Sequence, residues 1–493
     1  MYINLNSIFL GDLVFFNNEI YFFSLILVFV CFSLYFGELI KSLELNKLII
    51  ELALPFILLN CLFFYFLFDL NLNFFFNFKL DNYYISFKFL FILFLFLCLI
   101  FSKHYFMLEK MNINEYLILI LLSVQGASLI LASQNLIVIY IAIEIQNLCF
   151  YVLASLKRYS NFSTEAGLKY FLFGSFSSSL VLFGISLFYG LFGTVNITDL
   201  YFILLNYNNE MFFILFFLAI FFFISGLLFK LGSAPFHWWI PDVYEGAPTV
   251  IMLFFSVMPK ILLLFLLVKL YFYFFFFELR MNIFFYILGI ISIIVGGFNA
   301  MYQLKIKRFL AYSTIANIGF ILIAYSIFNV EGMLSSIFYL LCYIFSVMLF
   351  FIIFLFYKKN RNIEFLKLFD LSILNYNWIL IFLISIIFFS FVGLPPFMGF
   401  FGKFLIYFYL YVNYNYFILS ILLISSVIIG FYYLRVIRFL FFTFFSFENK
   451  LVNNINITNI IVILFFFNIY FLLFFDFICE NLMFILLNCY IIF

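Results

Sequence analysis

Four charged residues stand inside long apolar runs of this sequence: Glu144, Lys230, Lys260 and Lys403. A charge at the centre of a bilayer costs about 3 kcal/mol or more, which makes each of them a functional candidate. A buried ammonium loses its proton more readily than a solvated one, and a nearby carboxylate opposes that loss. No Ser–His–Asp set, paired carboxylates or glycine-rich phosphate loop accompanies them. The residue types therefore predict proton transfer rather than hydrolysis or nucleophilic catalysis.

Glu144 and Lys230 are the natural pair. A carboxylate that comes close to a lysine favours the protonated ammonium, and a carboxylate that moves away favours release of the proton. Lys260 and Lys403 would continue the path sideways, with water linking the gaps. The alternative is a static buried ion pair that fixes helix packing. That alternative explains poorly why two further lysines stand in apolar runs with no obvious acidic partner in the sequence.

Other candidates lie near the ends of the same runs. His237 follows Lys230 by seven residues; the near-neutral pKa of histidine suits a proton relay, although an imidazole that caps broken backbone fits equally well. Lys169 is a second candidate relay. However, Lys88, Lys169 and Lys269 all lie near predicted helix ends, where lysines usually extend to the membrane surface.

Charged and aromatic residues mark the turn that follows the Lys230 run. Asp242 and Glu245 lie in this turn, directly after Trp238 and Trp239. We expect the two acids to hold the turn or to meet a partner rather than to carry protons. We expect the two tryptophans to anchor at the membrane interface.

The composition is that of an integral membrane protein. Of 493 residues, 68% are hydrophobic and 9% are charged, against about 25% charged in a soluble domain. The net charge of +2 gives no reason to expect nucleic acid or an acidic substrate. The seven cysteines are scattered without a CxxC or a Cys/His cluster, so neither a metal nor an iron–sulfur site is predicted. The 90 phenylalanines, with abundant Ile, Tyr, Asn and Lys, indicate AT-rich codons and favour an organelle genome.

The apolar segments predict an all-α polytopic membrane protein. A helix of about 20 apolar residues crosses a bilayer, and by that rule we count about 14 crossings. They lie near 20–38, 48–68, 85–102, 115–132, 134–156, 166–192, 208–245, 248–273, 283–302, 308–328, 332–357, 373–412, 415–442 and 455–477. The seventh and twelfth are too long for one straight crossing. Each contains a break, at Gly232–Pro235 and at Gly393–Pro396.

Lysines and arginines mark one side of the membrane. They concentrate in the loops after odd-numbered crossings, whereas the loops after even-numbered crossings hold only Lys79 and Arg280. The positive-inside rule places the basic loops on the matrix or cytoplasmic side.

The two broken crossings indicate an internal repeat. Both carry a lysine and they stand five crossings apart, so crossings 4–8 and 9–13 are predicted to be two five-helix repeats. Because five is odd, the second repeat must be inverted, as in many transporters. The predicted divisions are a three-helix segment at 1–112, the repeats at 113–275 and 276–445, and a C-terminal helix and tail at 446–493.

Several motifs resemble the subunit 2 family of NADH dehydrogenase, one of the three antiporter-like membrane subunits of respiratory complex I. The most specific is the run Pro241–Thr249 (PDVYEGAPT), because the sister subunits differ there, and it follows Gly226–Lys230 and Pro235–His237. Further matching segments are 165–171, 256–260, 307–316, 393–404 and 432–436. The resemblance covers roughly 100–440, and the helix count resembles the long, bacterial-type form.

The resemblance implies a core subunit of proton-pumping NADH:ubiquinone oxidoreductase that conducts protons while quinone is reduced elsewhere in the complex. Glu144, Lys230, Lys260 and Lys403 match the family's glutamate of helix five and its lysines of helices seven, eight and twelve. The chain would be a non-redox subunit without a cofactor of its own; NADH, FMN, iron–sulfur clusters and ubiquinone would belong to other subunits. Its partners would be sister antiporter-like subunits, small membrane subunits, accessory subunits and lipids. Its location would be the mitochondrial inner membrane, with a bacterial inner membrane as the weaker alternative.

Two other functions stay open: a Mrp-type cation/proton antiporter subunit, which shares the lysine of helix seven and the broken helices, or a structural spacer that no longer pumps. The Asp242–Thr249 run favours the complex I subunit over the antiporter, and the four filled charged positions argue against the spacer. One position departs from the family, which often has histidine where this chain has Asn317. Asparagine carries no proton at neutral pH, so a relay through that side chain is in doubt.

Overall fold

The structure is a computed structural model. It describes residues 82–109, 113–206, 210–274, 280–361, 378–442 and 475–487, with the short pieces 72–74, 78–80, 367–368 and 370. The predicted crossings at 20–38 and 48–68, and most of the crossing at 455–477, lie outside these residues.

The described residues form a bundle of helices. The helices are α1 Asn82–Glu109, α2 Ile113–Ala132, α3 Leu136–Ala154, α4 Asn161–Phe192, α5 Ile197–Asn206, α6 Glu210–Leu231, α7 Trp239–Gly246, α8 Thr249–Phe274, α9 Arg280–Tyr302, α10 Ile306–Tyr325, α11 Val330–Arg361, α12 Trp378–Val392, α13 Met398–Val412 and α14 Tyr416–Phe442. A last helix, α15, covers 475–487.

Nine of the described helices are long and apolar enough to cross a membrane: α2, α3, α4, α6, α8, α9, α10, α11 and α14. Shorter apolar helices cover Ser86–Ile100, Ile381–Val392 and Met398–Val412. The polytopic helical class expected from the sequence is therefore confirmed. The count of 14 crossings and the inverted repeats stay predictions.

Helix α8 is the centre of the bundle. Its whole apolar span is buried inside the protein, whereas only about a third of the span of α14 is. A helix that is apolar all round can be stable in either place, since protein and lipid both exclude water. The charged residue Lys260 on α8 is consequently enclosed by other helices rather than by lipid.

Both predicted helix breaks are present, and they share one backbone design. Helix α6 ends before Gly232, which has a φ of +77°, and α12 ends before Gly393, which has a φ of +85°. In each break the glycine N–H donates to a carbonyl four residues back, and the next residue donates to the same carbonyl, Leu228 in one break and Phe389 in the other. This arrangement closes a helix with a left-handed residue, a role that glycine fills at the lowest cost.

Three features differ from the sequence-based expectation. The loop before α1 contains an antiparallel hairpin, β1 Leu72–Phe74 paired with β2 Phe78–Leu80. The loop between α4 and α6 contains the helix α5, too short to cross a bilayer; it is held at its start by a bond from the Ile197 N–H to the Gln134 carbonyl, 2.9 Å. Helix α15 covers 475–487, so most of it lies beyond 477, the predicted end of the last crossing.

Candidate functional site

The structure brings Glu144 and Lys230 together across the contact between α3 and α6. Lys230 Nζ lies 3.7 Å from Glu144 Oε1, and the side chains are 9% and 27% exposed. That distance is too long for a hydrogen bond, and Lys230 Nζ has no hydrogen-bond partner among the described residues. Glu144 instead accepts a bond of 3.1 Å from the Asn147 side-chain amide. Among the described residues the ammonium is therefore held by charge attraction to Glu144, and small shifts of either side chain change its electrostatic environment.

The end of α6 is a favourable place for a lysine. Lys230 is in the last turn of this helix, where free carbonyls give the helix a partial negative charge that favours a cation. One of these carbonyls, that of Phe229, accepts a bond of 2.9 Å from Trp239 Nε1 of α7. The helix after the break is thereby fixed to the turn that carries Lys230.

Lys260 follows a proline inside α8. Pro259 has no N–H, so the carbonyl four residues back, that of Phe255, loses its helical partner. The hydroxyl of Tyr244, on α7, donates to that carbonyl at 3.1 Å. Lys260 itself is 3% exposed, and its Nζ lies 3.3 Å from the Tyr343 hydroxyl of α11. The partner of this ammonium is thus a neutral oxygen rather than a carboxylate.

Lys403 points back to the second break. Its Nζ donates to the carbonyls of Phe391 at 3.0 Å and Val392 at 2.8 Å, which end α12, and it lies 5.3 Å from the centre of the Phe320 ring. Lys230 precedes its break and Lys403 follows its own, yet both occupy the carbonyl end of the interrupted helix. The two breaks therefore offer a cation the same kind of electrostatic support.

Lys169 belongs to a group of ion pairs at one end of the bundle. It lies 2.8 Å from Glu165 and 2.7 Å from Asp242, and Arg308 lies 3.0 Å from the other oxygen of Asp242. Glu245 forms ion pairs with Lys305 and Arg308. These pairs join α7 to α4 and to the start of α10. Asp242 and Glu245 lie in the helix α7 rather than in the predicted turn, and their ion pairs hold this segment in place, one of the two roles expected of them.

Replacing Asp242 with asparagine should lower the stability of this end of the bundle without removing a buried charge. Asp242 pairs with Lys169 and Arg308, and all three side chains are more than a third exposed. Pairs this exposed contribute about 0.2–1 kcal/mol each, so we expect a small decrease in the thermal unfolding midpoint of the detergent-purified protein. The matched control is Glu115→Gln, which breaks the more exposed pair with Arg158 and should leave the midpoint nearly unchanged. Equal midpoints for the two variants would contradict a bracing role.

His237 lies in the first break, between α6 and α7. It is 9% exposed, and its Nδ1 has no hydrogen-bond partner among the described residues. Its ring stacks beside that of Trp238, with centroids 5.4 Å apart. No ion pair or hydrogen bond links it to Lys230 in this part of the chain, so its role as relay or cap stays a prediction.

Two expectations about single side chains were wrong, those for Lys88 and Trp239. Lys88 is 3% exposed and donates to Tyr84 at 2.7 Å. Lys269 is partly exposed and donates to the carbonyls of Leu131 and Ser133 at the end of α2, so its extension to the membrane surface stays a prediction. Trp239 is 5% exposed. Of the two tryptophans only Trp238, 73% exposed, is placed as an interfacial anchor would be. In both wrong cases the side chain is buried within the protein.

Two tyrosines at the site were not predicted from the sequence. Tyr343 contacts Lys260, but nothing distinguishes it in sequence from the other members of a set of 35 tyrosines. Tyr244 could have been predicted as a hydrogen-bond donor. It lies in the Asp242–Thr249 run, and a proline within the next helix leaves one backbone carbonyl without its helical partner.

Known proteins match both the sequence and the fold. A profile of the family described as NADH:quinone oxidoreductase/Mrp antiporter, transmembrane, matches residues 133–429. The chain is 39% identical over 348 residues to NADH-ubiquinone oxidoreductase chain 2 of Marchantia polymorpha, covering 70% of each chain. It is 37% identical over 343 residues to NADH-quinone oxidoreductase subunit N of Pelagibacter ubique (strain HTCC1062), covering 69% of this chain and 72% of that one.

A solved structure has the same fold. A chain of respiratory complex I from Thermus thermophilus with bound aureothin matches with a TM-score of 0.74 and 24% identity, over 94% of this chain and 99% of that chain. The profile match and the sequence identity to the relatives confirm the resemblance read from the motifs. The chain therefore belongs to the NADH:quinone oxidoreductase/Mrp antiporter family of membrane subunits, among the relatives named NADH-ubiquinone oxidoreductase chain 2 and subunit N.

Proposed function

We propose that this chain is a proton-translocating membrane subunit of an NADH:quinone oxidoreductase. The observation that supports this most directly is the Glu144–Lys230 pair. Its buried ammonium lies at a helix break, 3.7 Å from the carboxylate, and makes no hydrogen bond with the residues that the structure describes. A static pair would be expected to close to hydrogen-bond distance, because charge-assisted bonds compensate the cost of burial.

The proposed transfer moves a proton and nothing else. When Glu144 is close and ionised, Lys230 holds its proton; when that influence weakens, the buried ammonium releases the proton to a neighbouring acceptor. Lys260 and Lys403 then take up and release the same proton in turn, each returning to its starting state. In this proposal the chain contributes no redox group, and the energy comes from quinone reduction in other subunits.

The cofactors, partners and location proposed for this chain are those that a subunit of an NADH:quinone oxidoreductase would have. NADH, FMN, iron–sulfur clusters and ubiquinone would be bound by other subunits, and the partners of this chain would be sister antiporter-like subunits, small membrane subunits, accessory subunits and lipids. The relatives include a plant chain 2 and a bacterial subunit N. We favour the mitochondrial inner membrane because the AT-rich composition suits an organelle genome.

The second candidate is a Mrp-type cation/proton antiporter subunit, which the family description also names. The Asp242–Thr249 turn and the sequence identity of 39% to a chain 2 protein favour the complex I subunit. The two candidate functions imply different partner subunits, so co-purification can distinguish between them.

An affinity-tagged chain extracted gently from its native membrane should co-purify with other membrane subunits and with NADH:quinone reductase activity. Subunit identities are read by mass spectrometry and activity by NADH oxidation. The chain should not exchange cations for protons by itself when placed in liposomes that contain a pH-sensitive dye. A sodium- or potassium-dependent pH change that Lys230→Met abolishes would favour the antiporter instead.

A further inference from the structure

Two cations contact the carbonyl end of a neighbouring helix, and neither has a part in the transfer described above. On α8, Lys269 Nζ donates to the carbonyls of Leu131 at 2.9 Å and Ser133 at 2.5 Å. On α14, Arg435 Nη1 donates to the carbonyl of Met301 at 2.5 Å. Leu131 is the penultimate residue of α2, and Met301 is the penultimate residue of α9. Both cations therefore lie where the partial negative charge of a helix end favours them.

The two contacts occupy corresponding places in the two predicted five-helix repeats. Helices α2 and α8 are the first and last crossings of the predicted repeat at 113–275, and α9 and α14 are those of the repeat at 276–445. Lys269 lies 20 residues after the start of α8, and Arg435 lies 19 residues after the start of α14. An accidental packing contact at one helix end would have no reason to recur at the equivalent end in the other half of the chain.

A backbone bridge lies beside each cation. Asn135 and Asn196 form an isolated antiparallel bridge just after α2, and Lys305 and Lys367 form another just after α9. Asn135 and Lys305 each lie three residues beyond the end of one helix, and each is the N-cap of the next, α3 or α10. We call these places the α2–α3 corner (131–136) and the α9–α10 corner (301–306). Each cation joins the last helix of its predicted repeat to one of these corners.

Lys269 links two helices that carry charges of the proposed transfer. Lys260 lies on α8 with Lys269, and Glu144 lies on α3, which begins at the α2–α3 corner. A helix has a fixed rise per residue, so a contact at Lys269 also fixes the height of Lys260, about 13.5 Å away along the axis. The contact therefore sets the height of Lys260 relative to Glu144.

Arg435 has the equivalent relation to the surroundings of Lys403. Tyr433 lies two residues before Arg435 on α14, and its ring stacks on that of Phe391 with centroids 5.3 Å apart. The Phe391 carbonyl accepts a hydrogen bond from Lys403. Phe320, whose ring centre lies 5.3 Å from Lys403 Nζ, is on α10, which begins at the α9–α10 corner. Arg435 therefore joins two helices that pack around the Lys403 ammonium and its carbonyl partner.

We propose that Lys269 and Arg435 are a matched pair of positioning residues for proton transfer, one in each predicted repeat. Each bonds the carbonyl end of the first helix of its repeat and so holds the last helix at a fixed height. Lys269 thereby places Lys260, and Arg435 places the groups that hold Lys403. Neither of the pair carries the transferred proton. The proposal rests on the proposed function and adds two residues that act through the buried lysines.

The test is Lys269→Met and Arg435→Met, made separately in the assembled complex. The rate of proton translocation per complex should fall by about tenfold or more in each, because misplacing a reacting group by about 1 Å can cost about a hundredfold. Lys269→Arg and Arg435→Lys keep a cation for the same carbonyls, so both should translocate nearly as the parent does. Equal losses in the methionine variants and in these conservative variants would overturn the proposal, because the charge on the helix end would not be the cause.

The matched control is Arg438→Met. Arg438 is an exposed arginine one turn beyond Arg435 on α14, so the variant removes the same charge from the same helix but keeps the contact with Met301. It should translocate protons as the parent does. If Lys269→Met or Arg435→Met also does so while Lys230→Met is inactive, the matched pair is overturned and the proposed function stands. If Lys230→Met is fully active too, the proposed function itself fails.

A second measurement covers the case in which the methionine variants do not assemble. A cryo-EM map of the parent complex should show Lys269 and Arg435 against the carbonyl ends of α2 and α9. A map in which either side chain points away from its corner would overturn the proposal. Where Lys269→Met does assemble, its map should show Lys260 Nζ displaced from the Tyr343 hydroxyl, which it approaches to 3.3 Å in the parent.

Discussion

Replacing Lys230 with methionine should lower proton translocation by the assembled complex by at least about tenfold, which corresponds to an increase of about 1.4 kcal/mol in activation free energy. Methionine keeps the length of the side chain and removes the charge that Glu144 acts on at 3.7 Å. NADH oxidation should fall as well if the two processes are coupled. The measurement is dye-monitored acidification of sealed vesicles, normalised to the amount of complex.

The Lys230→Met substitution also distinguishes a proton-transfer site from a static ion pair. A static pair contributes packing and specificity, so losing its lysine would reduce assembly and stability but not the activity of the complexes that remain. Adding Glu144→Gln in the same chain removes the unpaired carboxylate and should restore some stability. A transfer site predicts that this double variant stays inactive, and recovery of translocation would contradict the assignment of both residues.

Lys157→Met supplies the control for Lys230→Met. Lys157 also pairs with an acid, Glu109 at 2.6 Å, but its side chain is 26% exposed and it lies after the end of α3. Its loss leaves a carboxylate at the end of α1 rather than one in the middle of a membrane-spanning helix, so translocation should match the parent. A comparable defect in Lys157→Met would indicate that any lost lysine impairs the complex.

The helices and their breaks could be predicted because they depend on local sequence. Helix α14 begins at Tyr416 and ends at Phe442, within a residue of the predicted crossing, since apolar length alone sets that span. Both breaks could be predicted from glycine and proline. Glycine destabilises a helix interior through its backbone freedom, and proline does so because it lacks an N–H and its ring clashes with the preceding turn. The candidate charges could be found for a similar reason: a charge inside an apolar run needs no structural context to be unusual.

The partners of the buried lysines could not be predicted, because they depend on the three-dimensional path of the chain. Lys269 bonds the carbonyls of Leu131 and Ser133 at the end of α2, and sequence gives no means of knowing that α8 passes that point. Lys403 bonds the carbonyls of its own break rather than an acid. That contact depends on the path of the chain through residues 393–397, which the presence of a break does not determine.

Gly393→Ala should impair both stability and proton translocation, because Gly393 meets two separate demands. Its φ of +85° disfavours any residue with a Cβ, by about 1–2 kcal/mol. A Cβ added there would also lie 2.9 Å from Lys403 Cδ, so the lysine side chain has to move. That movement takes the ammonium away from the carbonyls of Phe391 and Val392, which hold it at the end of α12. Thermal unfolding and dye-monitored translocation measure the two effects separately.

Substitutions at two other glycines are the controls for Gly393→Ala. Gly190→Ala places a methyl on α4 with no atom of the described residues within 4 Å, and it should stabilise that helix by about 0.5–1 kcal/mol, with translocation unchanged. Gly232→Ala strains the first break in the same way, at a φ of +77°, but its methyl meets Ile240 rather than a lysine. If Gly393→Ala loses translocation in excess of its loss of stability, and Gly232→Ala does not, the position of the Lys403 ammonium is the cause. Equal ratios in the two variants would instead assign the whole defect to backbone strain, and Lys403 would lose its place in the transfer path.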